Sequence, residues 1–532
     1  MLLLGSSDRQ RTPAPGFAEP EALIEEARRR ARLRRRRRAA LATLLLATAA
    51  AIAYGVRGGG GPGVAAQAAN TPFANLRAFA GRGELAFASR GAIWALDGEG
   101  STLRRLPEPA GWTASQPQFS SDGRWLAYVT AASTLVSPTT VDLWLAHGDG
   151  SGARVVRGLD VDSLVGWSPT ADVLAVIGGS RSSTLELLRP HGLARTVVTL
   201  SGGPFGQGIM DSAAWSPDGR EIAVSMHGGD TGAVIRSYPL AGGASTTWFR
   251  IGSKQLFPSR ICSGCGGRET IAALVGWWPR RGIGFWVYCC GATRNLDQTP
   301  LALIARPGDR PRVFAQTIST GATFVATGAR GELAIDASSG GAGRVLGQGK
   351  TVEHCDAATL KCTPVPGATT WVGPDAQRCP APTARGPSCS PVAIAPAGKP
   401  GSGVSLDPAW SPDARLLAYV RAPVLKCVVC SDSAWDAAHA IYVWNTRTGA
   451  TRRVGAVDGA SVPTWSSDGH ELLFVRDDGL WLQALSGGDA VEIEHPLLGP
   501  AALSGPDSVD YFGQIPWPAQ FSWWSPPGAA TR

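Results

Sequence analysis

Charge is scarce in this 532-residue chain. Asp, Glu, Lys and Arg make up 17% of it, against 44% apolar types. That balance excludes a polar disordered chain, which cannot bury enough apolar surface to fold. Methionine occurs three times and histidine seven. The histidines (147, 191, 227, 354, 439, 470 and 495) show no His-Glu-x-x-His or other ligand spacing, so no contiguous motif encodes a metalloprotease-type centre. A Gly-x-Ser-x-Gly elbow is missing, and no segment is left over to hold an α/β-hydrolase domain. No cofactor or metal motif is present, and no catalytic residue is assigned. Cysteine is absent before Cys262, which excludes an N-terminal lipoprotein anchor.

A basic surface is also missing from most of the chain. The net charge is +8, but residues 1–38 hold eleven arginines against five acidic residues. The folded remainder is therefore close to neutral, and nucleic acid is not expected as a partner, since a phosphate-binding surface spreads its excess over the domain.

The one long uncharged run is residues 39–56 (AALATLLLATAAAIAYGV), directly after Arg34–Arg38. Eighteen residues span about 27 Å as a helix, near the lower limit for a bilayer core. With the arginines on its N-terminal side, it is expected to be a signal-anchor transmembrane helix. Residues 1–38 then stay in the cytoplasm as a basic tail and the remainder lies outside. A cleaved signal peptide is the rival, but Ala66-Gln67-Ala68 lies far beyond the run. Residues 57–78, rich in glycine, are expected to form a stalk.

What is abundant is turn chemistry: 67 glycines and 39 prolines, with 19 tryptophans. One phrase recurs: an aromatic, a Ser-Pro-Asp-Gly-like turn, two spacers and an apolar run. It reads FSSDGRWLAY from Phe119, WSPDGREIAV from Trp215, WSPDARLLAY from Trp410 and WSSDGHELLF from Trp465. Looser copies start at Trp167, Trp277 and Gly328. Ser caps such a turn, Pro presets φ, and Gly accepts the left-handed conformation that reverses the chain. The turn formers are Asp122, Gly123, Asp218, Gly219, Asp413, Asp468 and Gly469, with Trp167, Trp215, Trp410 and Trp465 ending the strands before them. These aspartates are read as turn formers rather than paired catalytic carboxylates. The spacings of the copies, near 48 to 62 residues, match a four-stranded propeller blade.

The phrase W-S-P-D-G-x-x-(L/I)-A-(Y/V) resembles the signature of the TolB-type, WD40-like (PD40) propeller repeats. The resemblance covers most of residues 79–525 and implies an all-β propeller over 79–526. Eight starts are counted, with seven blades as the alternative if a degenerate copy does not form one. The first unit lacks its aromatic strand, and residues 519–525 (AQFSWWS) supply one, so the C-terminal strand is expected to complete the first blade.

All ten cysteines lie past the anchor: Cys262, Cys265, Cys289, Cys290, Cys355, Cys362, Cys379, Cys389, Cys427 and Cys430. In an oxidising compartment they are expected to form disulfides bracing loop insertions near 255–292 and 373–403. Cys355 with Cys362, Cys379 with Cys389 and Cys427 with Cys430 are local candidates, while the first four leave their pairing open. Zinc held by those four is disfavoured by the adjacent Cys289-Cys290. Redox chemistry at Cys427–Cys430 lacks the thioredoxin-like setting.

Three functions remain in play. The first is a non-catalytic binding module for an envelope protein or cell-wall ligand. The second is an envelope hydrolase or lyase working in the propeller funnel, which convergent carboxylates or histidines with perturbed pKa values would mark. The third is a transmembrane sensor reporting through the arginine-rich tail.

Overall fold

The structure, a computed structural model, describes residues 71–527 apart from a set of segments, the longest being 253–269, 379–389, 392–402, 424–436 and 499–516. The basic tail and residues 39–56 lie outside the described residues. Among the described residues no helix is long and apolar enough to cross a membrane.

Eight antiparallel four-stranded blades form the propeller, blades 5 and 6 being joined into one continuous sheet where Thr317 pairs with Ala337. Blade 2 shows the pattern: an inner strand Trp112–Phe119, then Trp125–Ala132, Val141–His147 and an outer strand Arg154–Val155. Blades 3 and 4 repeat it from Val161 to Thr199 and from Ile209 to Ile251, and blade 5 from Thr270 to Thr317. Blade 6 begins with the short inner strand Val325–Thr327 and ends at Cys362–Pro364. Blade 7 runs from Gly403 to Arg453 and blade 8 from Ser461 to His495.

Alternation explains why the strands are apolar on both faces. Along Glu84–Ser89 of blade 1, Leu85 and Phe87 pack against Leu473, Val475 and Ile493 of blade 8. Ala86 and Ala88 turn the other way, against Leu126 and Tyr128 of blade 2. Successive side chains point to opposite faces, so one strand feeds two cores. Each of the eight junctions between neighbouring blades has its own buried apolar cluster. No blade could bury both faces alone, and the ring follows from that.

The C-terminal strand closes the ring as the sequence suggests. Phe521–Trp524 pairs with Glu84–Phe87 as the inner strand of blade 1. The seam is fastened on both sides. Ser467 of blade 8 donates its N–H to Ser525 Oγ and its hydroxyl to the Pro526 carbonyl, at 2.7 Å each, and the Trp524 Nε1–H donates to the Ser121 carbonyl of blade 2. The Arg82 guanidinium grips the buried Glu471 carboxylate of blade 8 at 2.9 Å.

Two boundaries differ from the sequence expectation. The propeller unit begins at Pro72, not at 79. Phe73–Ala74 adds a fifth strand to blade 8, and the helical turn Leu76–Phe79 buries Phe79 in the seam core. The short length of this strand and its lack of repeat features hid it. Of the expected insertion 255–292, Thr270–Trp278 and Gly282–Cys289 are instead the inner pair of blade 5. Within the second insertion, Gln377–Arg378 and Ser390–Pro391 form a small sheet with Val345–Leu346.

Candidate functional site

The four full turn phrases share one hydrogen-bond pattern. In each, the seryl Oγ donates to the aspartate: Ser120 to Asp122, Ser216 to Asp218, Ser411 to Asp413 and Ser466 to Asp468, at 2.6–2.8 Å. The same Oγ accepts the N–H five residues on, from Trp125, Glu221, Leu416 and Glu471. The aspartate Oδ1 accepts the N–H two residues on. Each carboxyl titrates below the usual carboxylate range. At Asp122, Asp413 and Asp468 partial burial pulls upward but is outweighed by the hydroxyl and N–H donors; at Asp218 the Ser216 hydroxyl is the largest influence. These aspartates are occupied in turns.

The tryptophans before the turns latch blades together. The indole N–H of Trp167 donates to the Gln118 carbonyl, that of Trp215 to Gly166, and that of Trp465 to Ala409. Each acceptor belongs to the residue just before the aromatic of the preceding blade. Trp410 faces blade 6, whose copy has Gly328 in place of the aromatic, and its Nε1 is buried without a hydrogen-bond partner. Its ring packs instead near His354 and Trp444, and burial holds His354 below the usual imidazole range.

A second latch works at the outer rim. Arg104, Arg154, Arg312 and Arg452, on or beside outer strands, donate to backbone carbonyls of the next blade at Asp149, Pro190, Thr359 and Leu485.

The axis is where the backbone departs from regular pairing. In blades 2, 3, 4, 5, 7 and 8 the inner strand slips register against its neighbour within five residues of the repeat aromatic. Gln116, Asp407 and Val462 take positive φ of 51–54° there, and a proline follows each. Bulges of this kind end pairing and re-aim side chains, and they are one of the few places a sheet accepts proline. The freed donors are caught across the blade junction: Val462 N–H by Asp407 Oδ2 at 3.3 Å and Leu274 N–H by Ser212 Oγ at 2.6 Å.

Three adjacent inner strands enclose a pocket of about 470 Å³, within the range of ligand sites. Asp407–Trp410 and Pro412 come from blade 7, Val462–Trp465 from blade 8 and Phe521–Trp523 from blade 1. The walls are fixed in place. The Trp465 indole is held by Ala409 at 2.8 Å, the Trp523 indole by the Arg82 carbonyl at 2.9 Å, and the Ser522 hydroxyl accepts the Phe119 N–H at 3.3 Å. Asp407, 4% exposed, is the single titratable side chain in the lining. Outside the lining, His439 Nδ1 lies 2.8 Å from Ser461 Oγ, next to Val462 in the chain.

Of the sequence-derived residues, only Trp410 and Trp465 reach this pocket. Sequence reasoning passed over Asp407, Pro408, Pro463 and Phe521–Trp523. A proline two residues before the aromatic, in Gln116-Pro117-Gln118-Phe119, Asp407-Pro408-Ala409-Trp410 and Val462-Pro463-Thr464-Trp465, was the available signal.

Two other polar groupings lie away from the pocket. His227 Nδ1 is 2.6 Å from Asp211 Oδ1 in blade 4, and that hydrogen bond raises the imidazole above its usual range. Glu84 in blade 1 is pushed up to about 8 by burial and by the nearby Asp97, Asp149 and Glu99. Among the described residues no group of three metal-capable side chains occurs.

Cys355 and Cys362 face each other across the strands Lys350–Cys355 and Cys362–Pro364, and their sulfurs are bonded. Cys289 ends a strand of blade 5. Cys262, Cys265, Cys290, Cys379, Cys389, Cys427 and Cys430 lie outside the described residues, so the other pairings proposed from the sequence do too.

No family model matches the chain, and no curated protein matches it significantly. Similar solved structures include an oligogalacturonate lyase in complex with manganese, at 14% identity and a TM-score of 0.41, covering 76% of this chain and 96% of that one. A puromycin hydrolase matches at 12% identity and a TM-score of 0.42, over 74% of this chain and 55% of its own. A TolB-type protein from Agrobacterium tumefaciens matches at 15% identity and 0.31, over 47% of this chain and 81% of its own. At such identities the likeness concerns the fold and says nothing of the chemistry.

Proposed function

We propose that this chain is a TolB-like binding propeller, tethered by residues 39–56 with the propeller outside the cell, and that it receives an envelope protein or cell-wall ligand in the axial pocket. The observation that carries this reading is the composition of that pocket. Four aromatic rings and three prolines form its walls, held by hydrogen bonds before any ligand arrives, with one carboxylate among them. Acid–base or nucleophilic catalysis needs a second convergent group; beside Asp407 the lining offers only the hydroxyls of Thr464 and Ser522, with no imidazole or second carboxylate to activate them. Recognition needs only shape, apolar surface and a few oriented polar atoms.

A hydrolase or lyase reading has one observation in its favour, the Asp211–His227 pair with its raised imidazole. In an eight-bladed ring blade 4 stands opposite blade 8, so this pair is not part of the pocket.

The test is site-specific photocrosslinking of the full-length chain in intact cells, recovered through a tag at Arg532. A photoreactive side chain at Thr464 is expected to capture a ligand, while one at Thr102 on an outer strand is not. No capture at Thr464, or equal capture at both, refutes the pocket. Alkaline extraction is expected to leave the chain with the membrane, and deletion of 39–56 to release it; a chain released intact refutes the tether.

A further inference from the structure

We infer that the strand Phe73–Ala74 is a proton-held clasp: it lies on the outer edge of blade 8 while the Glu494 carboxyl carries its proton, and comes away when that proton is lost to water. The device is independent of the axial pocket. Its basis is an acidic side chain shut into the sheet without a partner. Glu494 is 0% exposed, and neither of its oxygens has a hydrogen-bond partner. A bare carboxylate is strongly disfavoured in such surroundings, so the group stays neutral for as long as it is covered.

The charges that act on it are both negative, Asp478 in the turn before the neighbouring strand and Glu492 on its own strand; the Leu480 N–H pulls the other way and is outweighed. The neighbouring strands Gly479–Ala484 and Phe73–Ala74 carry no titratable side chain. The basic groups of the surrounding elements are turned outward or engaged elsewhere. Arg77, Arg90 and His495 are exposed, and Arg476 stacks over Trp481 and pairs with Asp477.

The cover over Glu494 is lightly held. Phe73–Ala74 is the outermost strand of blade 8, Ala74 stands directly opposite Glu494, and two residue pairs join the strand to Val491–His495. The Asn75 N–H adds a bond to the Ile493 carbonyl at 2.7 Å. Beyond Asn75 the chain is fixed. The Asn75 side chain caps the helical turn Leu76–Phe79, Phe79 is buried in the seam core, and Arg82 holds Glu471. Opening therefore stops at Asn75. It frees residues 72–75, lengthens the join to the preceding residues by up to ~14 Å, and bares the backbone edge of Val491–His495 to another strand.

Linkage sets the size of the effect. Once uncovered, Glu494 titrates in the ordinary range near pH ~4.3. Its covered value lies well above that, so the clasp is fully held below about pH 4 and loosens as pH rises, by about tenfold per unit until the covered value is reached.

The test is hydrogen–deuterium exchange of the full-length protein in detergent, from about pH 5 to about pH 8 and corrected for the intrinsic rate. It follows the amides of Phe73, Ala74 and Asn75 beside those of Phe521–Trp524 in the closing strand. Opening at 73–75 is expected to rise about tenfold per pH unit, while 521–524 keeps its protection. Glu494→Gln, neutral at every pH and of the same shape, is expected to flatten that slope, and Glu492→Gln to keep it. A flat profile in the parent overturns the inference without recourse to any variant. An equal slope at Phe521–Trp524 overturns it too, since the whole ring then opens together. A slope that survives Glu494→Gln assigns the titration to another group and does the same.

Discussion

Replacement of glycine by alanine at one equivalent turn position in different blades separates backbone strain from ring closure. Gly123 and Gly469 occupy the same place in the turn phrase, at φ 73° and 74°. Left-handed backbone costs a residue with a Cβ about 1–2 kcal/mol, and the stiffer unfolded chain returns about 0.4–1 kcal/mol of that. Strain alone therefore predicts a net loss between about 0 and 1.6 kcal/mol at both. Their surroundings differ. A Cβ at Gly469 meets Pro412 Cδ at 3.6 Å and Ser411 Cβ at 4.0 Å, which is ordinary contact. A Cβ at Gly123 lands in the six-membered ring of Trp524, on the strand that closes the propeller. Relieving that overlap displaces the indole and its bond to Ser121, adding about 1–3 kcal/mol for overpacking. Gly219 is intermediate, since its Cβ meets the hydroxyls of Thr170 and Ser168, which can rotate away. Urea unfolding of the three variants should rank Gly123→Ala as the most destabilised, then Gly219→Ala, then Gly469→Ala. In a Trp524→Ala background the cost of Gly123→Ala should fall to that of Gly469→Ala, a coupling that a double-mutant cycle reads directly. Equal costs at Gly123 and Gly469 in the parent would refute the packing argument, and with it the placement of Trp524 against blade 2.

Trp465→Phe removes the indole bond to Ala409 and leaves that carbonyl short of a donor, so a loss of about 1 kcal/mol beyond the change in packing is expected. Trp410→Phe removes an N–H that is buried without a hydrogen-bond partner, so its unfolding midpoint should fall less than that of Trp465→Phe; the reverse order would contradict the latch. Glu494 is fully buried and both carboxylate oxygens are without a hydrogen-bond partner. Burial, then Asp478 and Glu492, hold its pKa well above the usual range. A folded pKa above the unfolded one means that the native state keeps its proton longer. The penalty is therefore absent below about pH 4, where both states are protonated, and grows as pH rises towards the folded pKa. Thermal melts of Glu494→Gln and parent should coincide most closely near pH 4 and diverge in favour of the variant towards pH 8; a gap independent of pH would show that Glu494 does not titrate with unfolding.

Much of the scaffold could be read from local residues. The Ser-x-Asp-Gly turns depend on contacts between residues at most five apart, such as Ser120 Oγ with Asp122 and with the Trp125 N–H. A recurring phrase therefore announced recurring turns, and their period announced blades. The orphan first unit and the surplus segment at 519–525 announced the closing strand in the same way. The short strand Phe73–Ala74 could not be seen, because two paired residues carry no periodicity. The rim latches also escaped notice. Arg154 is an ordinary surface arginine until the carbonyl of Pro190, on the next blade, is brought beside it.

By itself, the sequence determined that this chain is built of repeated four-stranded units, with eight starts counted and seven blades as the alternative, that must stack because the strand after each turn is apolar on both faces. Those properties are local, set by turn chemistry and by alternation along a strand. The tertiary structure alone decided where a ligand fits. The pocket draws Asp407, Thr464 and Ser522 from three blades, and the two ends of that list are more than a hundred residues apart. Only closure of the ring sets the last strand beside blades 7 and 8, and only the bulges turn their inner residues toward one another. The same closure gave the tryptophans their partners, since each indole reaches a carbonyl on a neighbouring blade, about fifty residues earlier in the chain at Trp167, Trp215 and Trp465. A hydrogen bond across that separation leaves no trace in local sequence, because nothing near the tryptophan names its acceptor.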